Sequence, residues 1–248
     1  MSLAGKIALI TGGTKNLGKV TAIELASKHK CNLFLHHNST QGDEENLAEE
    51  LRSKYGVKVE LYQAKLGSQA SLAKLFDAAV EKYGKVDIAI NNVGKVLKKP
   101  CVEVTEQEFD EMDLINNKIA FFFISEAGKK LSDGGRIISL VTSLLAVYTP
   151  FYPAYQGTKA PVEYYSKAAS KELMGKNITV NCVAPGPMDT PFFYAQETPE
   201  AVEFYKSMAL QNRLTKIEDI APIIAFLATE GGWMTGQVLF ANGGLAAN

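Results

Sequence analysis

The stretch KIALITGGTKNLGKV, residues 6–20, decides the fold. An apolar run over Lys6–Thr11 stops at two glycines and gives way to a helical pattern over Leu17–His29. Glycines at a strand-to-helix turn let the backbone come close to a pyrophosphate. The helix that follows offers free N–H groups and the positive end of its dipole. Gly12, Thr14, Lys15, Asn16, Leu17 and Gly18 are therefore candidate dinucleotide contacts. The spacing is TGxxxNxG, with Asn16 where a middle glycine is usual. Asn tolerates left-handed backbone angles better than other non-glycine residues, so the turn can form.

The same alternation continues along the chain. Further strands are predicted at Asn32–His37, Val57–Gln63, Val86–Ile90, Arg136–Val141, Ile178–Val183 and Val238–Ala241. Helical patterns lie between them at Asp43–Lys54, Ser68–Tyr83, Glu106–Lys130, Tyr155–Met174 and Glu218–Thr229. Nearly all-apolar strands alternating with amphipathic helices imply a parallel sheet covered on both faces. No linker or repeat interrupts the rhythm, so one domain over residues 1–248 is expected. The irregular stretch is Pro185–Glu200, proline-punctuated and greasy, a candidate lid.

Composition excludes several classes. The chain has 248 residues, 46% of them apolar and 21% charged, which is neither disordered nor fibrous. A net charge of −1 advertises no nucleic-acid surface. Cys31, Cys101 and Cys182 are far apart and odd in number, which points to a reducing, cytoplasmic setting. His29, His36 and His37 lack zinc-site spacing. The start carries no signal-peptide pattern, and no run is long enough to span a membrane.

Tyr155 and Lys159 are four residues apart. On a helix that is about 400° of rotation, so they share a face. Free tyrosine titrates near pH 10, and an ammonium one turn away lowers that value. The pair is thus a candidate acid–base couple.

Five motifs in order extend this reading: TGGTKNLG (11–18), NNVG (91–94), YQGTK (155–159), PGPMDT (185–190) and TGQVLFANGG (235–244). With them the whole chain resembles the short-chain dehydrogenase/reductase family. The resemblance implies a doubly wound Rossmann-type α/β domain with a seven-stranded parallel sheet. It implies an oxidoreductase passing hydride between a nicotinamide and a ketone, aldehyde or secondary alcohol. Tyr155 would be the general acid in carbonyl reduction, and Lys159 would hold the nicotinamide ribose and tune Tyr155. A serine at the end of the fifth strand would orient the carbonyl. That slot falls on Thr142, thirteen residues before Tyr155, while Ser143 beside it resembles the serine of an S-x-x-G motif. Both stay open. A supporting asparagine would bend its helix and hold a proton relay; Asn116 fits the count, with Asn117 as the fallback. Asn91 and Gly94 would line adenosine and ribose. Pro185, Gly186, Met188 and Thr190 would follow the nicotinamide, with a mobile substrate loop at about 186–210. Members are usually homotetramers, and a homodimer is the other expectation.

Two departures bear on the cofactor. Strand two ends Leu35-His36-His37-Asn38-Ser39, with no acid before Asp43. A carboxylate there would bind a ribose 2′-OH; its absence, with Lys15, His37, Asn38 and Ser39 nearby, suits a 2′-phosphate, so NADP(H) is expected over NAD(H). After strand three, Lys65 stands where an acid usually receives the adenine amino group, and lysine cannot accept that bond. Either Leu66 backbone groups substitute, or the adenine binds less tightly. Leu144, Leu145, Phe151, Tyr152, Met188, Phe192, Phe193 and Phe204 are candidates for an apolar substrate pocket. The rival readings are a catalytically weak dinucleotide sensor or scaffold, which would bind nucleotide without turnover, and a purely structural module, which would bind none.

Overall fold

A computed structural model describes residues 2–39, 42–147 and 149–246. Its strands are β1 (Ile7–Ile10), β2 (Asn32–His37), β3 (Val59–Gln63), β4 (Val86–Asn91), β5 (Leu131–Leu140), β6 (Thr179–Pro185) and β7 (Val238–Ala241). The helices are α1 (Asn16–His29), α2 (Glu44–Tyr55), α3 (Gln69–Tyr83), α4 (Glu106–Asp113), α5 (Ile119–Lys130), α6 (Pro153–Lys159), α7 (Pro161–Glu172), α8 (Pro191–Tyr194), α9 (Pro199–Ser207) and α10 (Ile217–Ala228).

The strands form one seven-stranded sheet in the order β3-β2-β1-β4-β5-β6-β7. Every neighbouring pair is parallel. Alternate residues of a strand face opposite sides, and in the central strands β1 and β4 both sides are dry. Leu33, Leu35, Ile88, Ile90 and Ile138 face α1, α2 and α10, in a core with Leu25, Leu51 and Ile224. Phe34, Ala89, Ile137 and Val180 face the other way, packing with Phe76, Phe123 and Val162 of α3, α5 and α7. The strand order reverses between β1 and β4, and a crevice opens at such a switch point beyond the carboxyl ends of the strands.

Several boundaries differ from expectation. β5 starts at Leu131 because Leu131 pairs with Val86 ahead of a shift in register. β6 runs on to Pro185, whose partner is Ala241. The helix expected over Glu106–Lys130 is two helices joined by a wide turn over Leu114–Lys118, closed by the bond from Ile119 N–H to Leu114 C=O. One over-wide turn inside a helix often marks a functional position; this one contains Asn116. The helix expected from Tyr155 begins at Pro153 and continues past Pro161 in helical geometry. The stretch expected to be irregular carries α8 and the start of α9.

Candidate active site

The glycine turn lies at the carboxyl end of β1. Gly12 has φ of +59°, where a side chain is strained. A Cβ on Gly18 would lie 2.0 Å from the Gly12 carbonyl oxygen, so only glycine lets α1 sit this close to the turn. Asn16 adopts φ of +47°, as its substitution for glycine requires. The first turn of α1 carries no acid, and the side chain of Lys15 makes no capping bond. That leaves helix N–H groups and a positive dipole end for an anion.

His36 supports this turn from β2. Its Nδ1 accepts from Gly12 N–H at 3.3 Å, and its Nε2 lies 2.8 Å from the Ala64 carbonyl. The two contacts fit the neutral tautomer protonated at Nε2, and burial lowers the pKa of the ring. Gly13 N–H also donates to the His36 carbonyl, at 2.9 Å.

A cleft of about 440 Å³ runs from this turn to Tyr155. Of the expected residues, Gly12, Thr14, Lys15, Asn16, Leu17, His37, Asn38, Ser39, Leu66, Gly94, Tyr155, Lys159, Pro185, Met188 and Thr190 line it. Three expected contacts do not. Gly18 is buried beneath the turn and serves its packing. Asn91 is the last residue of β4, and its Oδ1 faces Thr11 Oγ1 at 3.3 Å. Its neighbour Asn92 lines the cleft instead, with Nδ2 donating to the Gly12 carbonyl at 3.2 Å. Gly186 lines the adjoining smaller cavity, where a Cβ would lie 2.7 Å from Thr215 Oγ1. Asn116 lies fully behind the wall. No Asp or Glu is among the described residues lining the cleft, and Lys15, His37 and Lys65 are. Backbone donors, cations and a Cβ-free cradle together fit an anionic dinucleotide.

At the other end, Lys159 Nζ donates to the Leu140 carbonyl at 2.9 Å. Burial brings Lys159 down to about 8. Burial also pushes Tyr155 up to about 12, against the opposing effect of a hydrogen bond with Thr142. The Tyr155 pKa thus lies above its ordinary value, not below it as expected: desolvation outweighs the Thr142 hydrogen bond, while Lys159 keeps its charge below about pH 8. A Cβ on Gly94 would sit 3.1 Å from Lys159 Nζ and 3.5 Å from Asn116 Oδ1, so a side chain there would crowd the lysine.

Asn116 accepts from Lys95 N–H at 2.9 Å and donates to the Lys95 carbonyl at 2.9 Å and to Thr158 Oγ1 at 3.2 Å. It ties the loop after β4 to α6, one residue before Lys159. Asn117 points elsewhere, to Asp113 and Tyr165.

Thr142 lines the smaller cavity beside Tyr155, close enough to lower the pKa of the phenol against the effect of burial. It also accepts from Leu144 N–H at 3.3 Å, capping a short turn over Ser143–Leu145. Because β5 ends at Leu140, strand alternation no longer governs this pair, and both Thr142 and Ser143 line the smaller cavity.

Leu144, Tyr152, Met188, Phe192 and Phe193 line that cavity as expected, together with Val96, Gln196, Glu197 and Tyr205. Leu145 packs into the core, whereas Phe151 and Phe204 are largely exposed and lie off the cavity. His36, Asn92 and Glu197 are the residues that sequence reasoning missed. Two adjacent histidines on a strand suggest opposite faces, yet at this strand end both line the cleft. No motif flags Glu197. Among the described residues no cluster of His, Cys, Asp or Glu could hold a metal ion.

The family described as Enoyl-(Acyl carrier protein) reductase matches residues 12–246. A "Short-chain type dehydrogenase/reductase" of Picea abies is 36% identical over 98% of this chain and 93% of its own length. An "NADPH-dependent aldehyde reductase-like protein, chloroplastic" of Arabidopsis thaliana is 34% identical over 98% of this chain and 95% of its own. The solved structure of a Burkholderia cenocepacia protein with bound NADP superposes with a TM-score of 0.96 at 49% identity, covering 100% of this chain and 96% of that one.

Proposed function

The chain belongs to the short-chain dehydrogenase/reductase family, and from that premise we propose that it is an NADP(H)-dependent reductase of ketones or aldehydes. The carrying observation is the meeting of Tyr155, Thr142 and Lys159 at one end of a cleft whose other end is a carboxylate-free anion cradle. The same assembly favours an enzyme over a non-catalytic nucleotide binder. When bound, the nicotinamide supplies the hydride.

The chain's own residues do the rest. Lys15 and the first turn of α1 hold phosphate, while His37, Asn38 and Ser39 receive the ribose 2′-phosphate. Tyr155, kept protonated by burial, gives its proton to the carbonyl oxygen as negative charge develops there. Thr142 holds that oxygen in line with Tyr155. Lys159 contacts the ribose and steadies the phenolate left behind. Asn116 positions Lys159 through Lys95, Gly94 and Thr158, at the head of the relay that returns the proton. Residues 186–210, with α8 and α9, form the cover that closes over substrate.

The working unit is a homo-oligomer, a tetramer or a dimer. Exposed Phe109, Phe121 and Tyr164 on α4, α5 and α7, and exposed Phe226 and Trp233 near the β7 edge, supply apolar faces for it. Among the described residues no helix is long and apolar enough to cross a membrane. Three free cysteines support a reducing compartment, with the cytoplasm as the proposed one.

The test is a panel of ketones and aldehydes offered with NADPH and with NADH, followed by loss of nicotinamide absorbance. Turnover with NADPH preferred is the expected result. Tight NADPH binding with no turnover on any member would overturn the reading.

A further inference from the structure

The smaller cavity beside Tyr155 has walls from two parts of the chain. Phe192, Phe193 and Tyr205 belong to the 186–210 cover, and Val96, Leu144 and Tyr155 to the body of the domain. The two ends of the cover are tied to the body by backbone. Gly186 N–H donates to the Ala241 carbonyl at 3.0 Å, and Leu210 N–H to the Gly243 carbonyl at 2.7 Å. Between these ends, the ring contacts of Phe193 and Phe204 with Tyr194 and Tyr205 are internal to the cover. Among the described residues, the hydrogen bonds of residues 190–209 also stay within residues 188–212, except at the turn between α8 and α9.

At that turn the Glu197 side chain is 0% exposed. Its Oε2 pairs with Lys98 Nζ at 2.5 Å, and its Oε1 accepts from the Tyr152 hydroxyl. Beside it, Gln196 Oε1 accepts from Lys98 N–H at 3.1 Å. The next residue, Thr198, caps α9 by accepting from Ala201 N–H at 3.3 Å, so the bonded pair leads directly into that helix. The body side is itself fixed. Lys99 N–H donates to the Phe151 carbonyl at 2.6 Å, which joins the loops carrying Lys98 and Tyr152. Lys99 Nζ pairs with Glu108 of α4 at 2.9 Å. Tyr152 directly precedes α6, and its ring centroid lies 6.2 Å from that of Tyr155.

A buried ion pair holds two loops differently from an apolar contact. The desolvation of both charges roughly cancels their attraction, so the closed state is specific but weakly favoured. Lifting the cover gives both charges back to water. Removing one partner instead leaves the other charge buried and unpaired, which opposes closure.

We propose that Lys98 and Glu197, with the Tyr152 hydroxyl, form an ionic latch that holds the 186–210 cover down over the smaller cavity, so that all three act as positioning residues for substrate. The latch rests on these contacts alone; its effect on substrate rests on the reading of the smaller cavity as the substrate site.

The test measures backbone amide hydrogen exchange on the full-length, NADP⁺-loaded protein. Lys98→Met leaves the Glu197 carboxylate buried without its cation. It should speed exchange of residues 190–209 by at least about tenfold, which is about 1.4 kcal/mol, with β4 and β6 unchanged. Adding Glu197→Gln removes the stranded charge, keeps an acceptor for Tyr152 and should bring exchange back to within about threefold of the original. Tyr152→Phe keeps the ring, should speed exchange of the same residues by at least about threefold, and serves alone if Lys98→Met does not fold. With NADPH and one reducible ketone, Lys98→Met should raise KM by about tenfold or more with kcat within about threefold, and the double variant should restore KM. Unchanged exchange in Lys98→Met or Tyr152→Phe, or a double variant as open as the single one, overturns the proposal. So does exchange that speeds equally in β4 and β6, which would make the pair a support of the whole fold. An opened cover with unchanged KM would contradict the positioning role. The expected exchange pattern without turnover of any ketone would instead contradict the reductase reading and leave the latch standing.

Discussion

The two ends of the cleft are built on opposite principles. Around Gly12 and Gly18 the work is done by backbone: a left-handed residue, a helix packed without a Cβ, and N–H groups with no side chain in the way. Around Tyr155 it is done by side chains from four separate segments: Thr142 after β5, Tyr155 and Lys159 on α6, Asn116 in the wide turn before α5, and the aromatic residues of α8. A backbone site demands particular residue types at fixed spacing. A side-chain site demands only that suitable atoms converge, and convergence is a property of the fold.

Substitutions at the two ends should therefore fail in different ways. Gly18→Ala should have the largest effect on cofactor binding, because the added carbon meets the Gly12 carbonyl at 2.0 Å and the turn must move. A loss of NADPH affinity of about a hundredfold or more is expected by titration, from overpacking in the range of about 1–3 kcal/mol plus a displaced anion cradle. Phe193→Ala, at the other end, should change kcat/KM for substrate and leave the NADPH dissociation constant alone. If Gly18→Ala bound NADPH within about threefold of the original, the two-principle description would break.

Thr142 and Ser143 sharpen the side-chain end. Thr142→Ala should lower kcat/KM by about 10²-fold, the scale of one positioned donor, and Thr142→Ser should keep most activity. Ser143→Ala should cost much less, since the Tyr155 partner is Thr142. Comparable losses in both alanine variants would mean that the turn after β5 presents both hydroxyls to the carbonyl.

The cofactor end can be sharpened by charge. NADPH should bind about tenfold tighter than NADH, and His37→Asp should reverse the order by repelling the 2′-phosphate. Titration of both cofactors at one salt concentration checks it, and equal affinities for the unmodified protein would contradict it.

The smallest expected effect is a pH limb. Lys159 is brought from 10.5 to about 8 by burial, so between those values the unfolded chain binds the extra proton and the folded one does not. Stability contributed through this group thus rises with pH across that window. Activity should go the other way: kcat/KM for reduction should fall above about pH 8 as Lys159 loses its charge, while Tyr155, pushed up to about 12, stays protonated. A profile flat to pH 10 would remove Lys159 from the free-protein titration.

The same contrast explains what the sequence disclosed. The parallel sheet was legible because strands buried on both faces read as continuous apolar runs, and the switch point followed from the glycine turn. Gly12, Lys15, Tyr155 and Lys159 were legible because their spacing is local. Asn91 was misplaced by one residue because strand end and loop start look alike, and Asn92 faces the cleft. His36 was hidden because its bond partners, Gly12 and Ala64, are 24 and 28 residues away. Glu197 was hidden more deeply, since its ring and cation partners come from two other loops. The Tyr155 pKa was read in the wrong direction because spacing reveals the lysine but not the burial that raises the phenol.

The central claim is that Tyr155 donates the proton in carbonyl reduction. Tyr155→Phe removes only the hydroxyl and keeps the ring that packs against Tyr152. Measured with NADPH and one reducible ketone, the variant should bind NADPH within about threefold of the original and lose nearly all turnover. Retention of more than about a tenth of kcat, a barrier change under about 1.4 kcal/mol, would contradict the assignment.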